Sequence, residues 1–266
     1  MEGQLHIYRL SLPHVMTIGS RKVRGLGRKI RRSLHGRGVV GTLKFCVEAL
    51  VNPSVRESAE VALSEFDRQF GVDTVGRIHI KDMDVSASDR ADCAGYQGTP
   101  PQVFHEVLNV LKIKHEDFVF IDFGSGKGIT LLLASELPFK RIIGVEFSPR
   151  LHQIAEENIR RYKSATQKCK QLMSVGMDAL AFPIPRDPLV VYLFNPFSDK
   201  LMSKLLANIE QSSLDHPREV FIVYCNPSES RLLTKYRLCK AGFAGSSGGF
   251  AVEYGVYQVS GDQGRV

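Results

Sequence analysis

The chain has 266 residues, 43% hydrophobic and 24% charged, so it is long enough to bury a full core and has the composition of a soluble globular protein. No apolar run approaches the ~18 residues of a membrane-spanning helix. The start, Met1-Glu-Gly-Gln-Leu-His6, lacks the basic and apolar stretches of a secretory signal. The net charge of +7 is uneven: Arg21 to Arg37 holds eight Lys or Arg and no acid, leaving 27 basic against 28 acidic residues elsewhere.

That basic run lies in an arm spanning residues 1–38, interrupted by Gly19, Gly25, Gly27, Gly36 and Gly38. Two readings stay open for it: contact with a polyanion such as nucleic acid or an anionic membrane surface, or a solvated arm or a helix laid on the domain with its charges outward. No aromatic stands between Tyr8 and Phe45, which argues against base stacking. Residues 39–100 are expected to form a helical extension and a lid loop. Val39 to Val51 is a short helical candidate that Asn52-Pro53 ends. Ser54-Val-Arg-Glu57 is a capping-box pattern, and Val55, Ala59, Ala62, Leu63, Phe66 and Phe70 follow at helical spacing before Gly71. Residues 72–99 are polar and turn-rich. Asp82, Asp84, Asp89 and Asp92 lack the order of a calcium loop. Tyr96-Gln-Gly-Thr-Pro-Pro101 leads into a helix to Lys112, with Thr99 as candidate N-cap.

The remainder, 101–266, is expected to be one domain. Phe118 to Ile121 reads as a buried strand, and Asp122-Phe-Gly-Ser-Gly-Lys-Gly128 turns it into an apolar helix from Ile129 to Leu137. Three glycines at alternate positions permit a sharp turn and close approach of a ligand to the main chain. The helix start behind them offers free N–H groups. The spacing fails two familiar phosphate loops. A dinucleotide fingerprint puts a third glycine at Ile129, and a P-loop needs Ser or Thr where Gly128 stands.

Strand Arg141 to Glu146 ends in an acid, and Ser148-Pro149 then opens a helix to Tyr162. Strand Leu172 to Val175 leads to Gly176-Met-Asp-Ala179, and strand Leu189 to Phe194 to Asn195-Pro-Phe197. A helix over 198–212, a strand over 219–225, a helix over 229–241 and a strand pair within 243–259 complete the expectation. Strands alternating with helices predict an α/β fold: a doubly wound, mostly parallel seven-stranded sheet with helices on both faces and an N-terminal helical extension. Ligands in such sheets sit at the carboxyl ends of the strands, where all these motifs fall.

The pattern Asp-x-Gly-x-Gly-x-Gly, with Glu146, Asp178 and Asn195 after it, resembles the class I, Rossmann-like S-adenosylmethionine-dependent methyltransferases. Asp117-Phe-Val-Phe-Ile-Asp-Phe-Gly-Ser-Gly126 and Gly144-Val-Glu146 resemble their non-SET histone-lysine methyltransferase type. The likeness covers roughly residues 96–226. It implies S-adenosyl-L-methionine as cofactor, held by Asp122, Gly124, Ser125, Gly126, Gly128, Glu146 at the ribose, Phe147, and Asp178 with Ala179 at the adenine. Tyr96 and Thr99 belong to the lid. Asn195, Pro196 and Phe197 resemble the [D/N]-P-P-[F/Y] motif of amino-directed enzymes, lacking one proline. An N-directed methyltransferase acting on a protein lysine is the leading expectation, with a small-molecule methyltransferase and a non-catalytic cofactor-binding module as alternatives. Five scattered cysteines, Cys46, Cys93, Cys169, Cys225 and Cys239, with no C-x-x-C pair, predict reduced thiols and a cytoplasmic location; no metal is expected.

Overall fold

The structure, a computed structural model, describes residues 53–84, 95–245 and 252–259. The basic run 21–37, the helical candidate 39–51, Asp89, Asp92, Cys46 and Cys93 lie outside the described residues.

The chain enters through helix α1 (Pro53–Phe70), which stops where Gly71 turns to φ +68° and its N–H bonds back to the Asp67 carbonyl at 2.8 Å. A two-residue strand β1 (Arg77–Ile78) pairs antiparallel with β2 (Tyr96–Gln97), bringing the polar segment 72–99 back on itself. Helix α2 (Pro101–Leu108) leads to strand β3 (Val119–Phe123), helix α3 (Ile129–Ala134), strand β4 (Arg141–Glu146) and helix α4 (Pro149–Arg161). Strand β5 (Leu172–Gly176), strand β6 (Leu189–Phe194), helix α5 (Asp199–Asp215) and strand β7 (Val220–Cys225) follow. The hairpin β8 (Arg237–Ala244) and β9 (Val252–Val259) closes the sheet.

The seven main strands lie in the order β5-β4-β3-β6-β7-β9-β8. The first five are parallel and the last pair antiparallel, as expected for a sheet built of β–α units with a terminal hairpin. The near-continuous apolar runs of β3, β6 and β7 are buried on both faces. On one face Phe120, Tyr192 and Val223 pack with α2 and α3 and with Leu63 and Phe66 of α1. On the other, Ile121, Val191 and Ile222 pack with Met202, Leu205 and Ile209 of α5.

Three elements depart from expectation. The helix expected over 229–241 is a single 3-10 turn, Ser230–Leu233, followed by β8. Strand β8 is the sheet edge and pairs only with β9, so most of its residues are exposed and it shows no apolar alternation that would mark a strand. The helix expected to Leu137 ends at Ala134, and the one expected to Lys112 ends at Leu108; 3-10-type bonds such as Leu137 N–H to Ala134 O wind up the last turn. Thr99 does not cap α2: Pro100 stands at the cap, and buried Thr99 instead accepts a 3.4 Å bond from the Tyr192 hydroxyl.

Candidate cofactor and acceptor site

The carboxyl ends of β3, β4, β5 and β6 open into one cavity. At its centre is the turn between β3 and α3. Gly124, Gly126 and Gly128 all have positive φ (81°, 57° and 81°), which explains the residue type at each. The space they leave is filled by protein. A Cβ at Gly124 would stand 2.8 Å from Cβ of Pro196, and one at Gly126 would stand 2.3 and 2.4 Å from two ring carbons of Tyr96. The glycines therefore let the Asn195-Pro196-Phe197 turn and Tyr96 close directly on this turn.

Glu146, at the end of β4, is buried and accepts from the Gly126 N–H through Oε2 and the Ser148 N–H through Oε1, each at 2.8 Å. Burial pushes its pKa up, and the bonds from the Ser148, Gly126 and Phe147 backbone oppose the shift. Ser148 also caps α4, accepting from Leu151 N–H at 3.4 Å. Asp122, at the end of β3, is pushed by burial from 3.8 to about 7; a hydrogen bond from the Thr130 hydroxyl works against that and the Glu146 charge adds to it.

Tyr96, Thr99, Asp122, Gly124, Ser125, Gly126, Glu146, Phe147, Asp178, Ala179, Pro196 and Phe197 all line the cavity. Gly128 does not; it is the N-cap of α3, and a Cβ there would meet Ala155 of α4 at 3.1 Å. Asp178 is exposed, with its Oδ1 accepting from Leu180 N–H at 2.9 Å. Asn195 also lies off the lining. Its backbone is left-handed (φ 45°) and its Oδ1 accepts from Ser228 Oγ at 2.5 Å and from the Tyr224 hydroxyl at 3.5 Å. Met83, Met177, Phe194, Leu201 and Leu205 are among the further wall residues and lie outside the expected set. They are scattered apolar residues whose convergence depends on the chain path between strands. Thr130, in the first turn of α3, also lines the cavity; the available cue was a hydroxyl at the start of the helix that follows Asp122 and the glycine turn.

Among the described lining residues there is no Lys, Arg or His. Two buried carboxylates facing such a cavity are complementary to a ligand carrying positive charge and hydroxyl donors, and S-adenosylmethionine has both. Asp122 and Glu146 would hold it. No group of His, Cys, Asp or Glu suited to a metal occurs among the described residues.

The profile of the family described as "Histone methylation protein DOT1" matches residues 92–174, under half of the chain. No curated protein sequence matches. Solved structures with similar folds include an RNA methyltransferase from Salinibacter ruber in complex with S-adenosyl-L-homocysteine. It shares 16% identity and a TM-score of 0.47, over 64% of this chain and 98% of that one. TrmN from Thermus thermophilus shares 16% identity at a TM-score of 0.46, over 60% of this chain and 49% of its own, so the chain spans about half of it. A SAM-dependent methyltransferase from Aquifex aeolicus shares 13% at 0.45, over 59% and 89%. At such low identity and overlap, nothing about acceptors carries over from them. The DOT1 match falls on the glycine turn and on the strand bearing Glu146, the two elements that bond to each other at the cavity. Together with the strand order, it gives the chain the sheet and the glycine-turn pattern of class I S-adenosylmethionine-dependent methyltransferases.

Proposed function

We propose that the chain methylates an amine nitrogen, with a protein lysine as acceptor. The observation that carries this is the seating of Asn195-Pro196-Phe197 against the cofactor turn, with Pro196 packed at Gly124 and Phe197 lining the cavity. When bound, the cofactor supplies a methyl group on a sulfonium, open to in-line attack. The chain's residues bind and orient. Glu146 and Asp122 hold the cofactor end, while Phe194, Phe197, Leu201 and Leu205 offer an apolar wall to the acceptor. A lysine must shed its proton to attack, and an apolar wall lowers its pKa. Most of the acceleration then comes from positioning. The DOT1 match supports a histone or similar basic protein as the acceptor class. The absence of basic side chains among the described lining residues disfavours a polyanionic acceptor inside the cavity. The roof of Met83 and Tyr96 favours, as second reading, a small acceptor enclosed beneath it.

The proposal extends to a cytoplasmic site of action, in keeping with free Cys169, Cys225 and Cys239, and to polyanion contact through residues 21–37. No helix among the described residues is long and apolar enough to cross a membrane. The test is to incubate the protein with radiolabelled S-adenosylmethionine and cell extract, then sort label into protein, RNA and small molecules. Label on lysine in protein is expected; label confined to RNA or to oxygen esters overturns the proposal.

A further inference from the structure

Lys127 sits inside the glycine turn, yet it does not line the cavity. Its side chain is 9% exposed and runs the other way, toward the segment after α1. There Nζ donates to Oδ1 of Asp73 at 2.6 Å and to the Val75 carbonyl at 2.8 Å. The segment 72–75 is fastened from three other directions. Asp67 of α1 accepts from the N–H and hydroxyl of Thr74 and from the N–H of Val75, at 2.6–2.8 Å. The Asn158 carboxamide on α4 brackets Asp73, accepting from its N–H and donating to its carbonyl, both at 2.8 Å, and also donates to the Lys127 carbonyl at 2.9 Å. The Tyr96 hydroxyl donates to the Thr74 carbonyl at 2.6 Å.

Tyr96 joins this strap to the cavity. Its ring lies on Gly126 so closely that no side chain fits there, and Lys127 Nζ stands 5.6 Å from the ring centroid. Gly126 in turn donates to Glu146. A continuous chain of contacts therefore runs from Asp73 through Lys127 and Tyr96 to Gly126 and Glu146.

We propose that Lys127 is a positioning residue for the cofactor site: by gripping Asp73 and Val75 it holds the strap and the Tyr96 ring closed on the glycine turn, so that cofactor affinity depends on a segment outside the Rossmann-like sheet. This rests on the cavity being the S-adenosylmethionine site. Lys127 touches no ligand in this role; it acts through Tyr96.

The experiment is calorimetric titration of the full chain with S-adenosylhomocysteine, for the wild type, Lys127→Met, Asp73→Ala and the double variant. Each single variant is expected to bind roughly tenfold more weakly, equivalent to about 1.4 kcal/mol. The double variant should be no weaker than the weaker single, because both break the same pair. The Asp73 side chain is 57% exposed, so Asp73→Ala keeps the test open should Lys127→Met fail to fold. Hydrogen exchange supplies a readout that loss of general stability does not mimic. In the wild type the ligand should slow exchange of the amides at 72–75 and 95–97, and in Asp73→Ala it should leave them unslowed. Affinities of the single variants within about twofold of wild type overturn the inference, as does a double variant showing the summed loss of the singles. If the wild type itself binds no S-adenosylhomocysteine, the cofactor reading fails and takes this inference with it; if only the variants behave as wild type, the cofactor reading stands.

Discussion

Asp122 has a carboxyl whose folded pKa, about 7, lies above its ordinary 3.8 because it is buried. The folded protein therefore holds a proton there that the unfolded chain has released, and stability falls as pH rises from about 4 to about 7. The cost at alkaline pH is on the order of 4 kcal/mol at most. Asp122→Asn should raise the melting temperature of the ligand-free protein above pH 7 and flatten its pH dependence, while weakening S-adenosylmethionine binding. Thermal melts across pH 5–9, paired with calorimetry, measure both. A lower melting temperature at pH 8 in the variant would contradict the assignment. Cofactor affinity in the wild type should rise with pH through about 7, since the cationic ligand favours the ionised carboxylate. At Gly126, even Ala places a Cβ inside the Tyr96 ring, so Gly126→Ala should weaken S-adenosylhomocysteine binding and lower stability together. Tyr96→Ala in the same chain should relieve the clash but keep the strain of the left-handed φ and lose the Tyr96–Thr74 bond, so it should restore neither full stability nor affinity. Asp122 and the glycines were legible in the sequence because their spacing belongs to the turn itself, and Glu146 because it ends the next apolar strand. Tyr96's ring on Gly126 was not, since 30 residues of loop and helix separate the two.

Among the elements, the Asn195 turn at the end of β6 bears most on the proposed transfer to an amine. Its left-handed backbone suits Asn, and Asn226 repeats it at the end of β7 with φ 50°. Asn195→Ala mixes loss of the carboxamide with strain of about 1 kcal/mol, whereas Asn195→Gly removes the carboxamide and tolerates the φ. Asn195 lies off the cavity with Oδ1 held by Ser228 and Tyr224, so both variants act by loosening the turn that seats Pro196 and Phe197. Both should lower kcat on the order of 10²-fold with little change in S-adenosylmethionine affinity. Retained kcat in Asn195→Gly would reduce the turn to a structural bend. Phe197→Ala should raise KM for the acceptor by removing part of the apolar wall, and steady-state kinetics with the labelled protein acceptor separates the two effects. Strands β3, β4, β6 and β7 could be read from apolar runs because they are buried on both faces. Strand β8 could not, because an edge strand with one neighbour carries no such pattern, and Leu232, Leu233, Tyr236 and Leu238 imitate helical spacing.

For the molecule as a whole, the extension is part of the core. Leu63, Phe66 and Val72 are buried in the same cluster as Phe104, Phe120 and Tyr192, and the loss of large buried side chains costs about 2–5 kcal/mol apiece. A chain starting at Pro101 should fail to fold stably, while one starting at Val39 should keep its cofactor affinity and lose salt-sensitive association with a polyanion. Circular dichroism melts of both truncations check this. The alternation of strands and helices placed the parallel sheet and its motifs from sequence. The amphipathic face of the helix at 53–70 pointed to packing on the core or over the cofactor cleft; its particular partners, Phe104, Phe120 and Tyr192, were not legible. The most direct test of the whole account is calorimetric titration of the full chain with S-adenosylmethionine, alongside Glu146→Ala. One-to-one binding is predicted, weakened in the variant by the loss of charge-assisted bonds worth about 1.5–3 kcal/mol each. Absence of binding, or equal binding by Glu146→Ala, would contradict it.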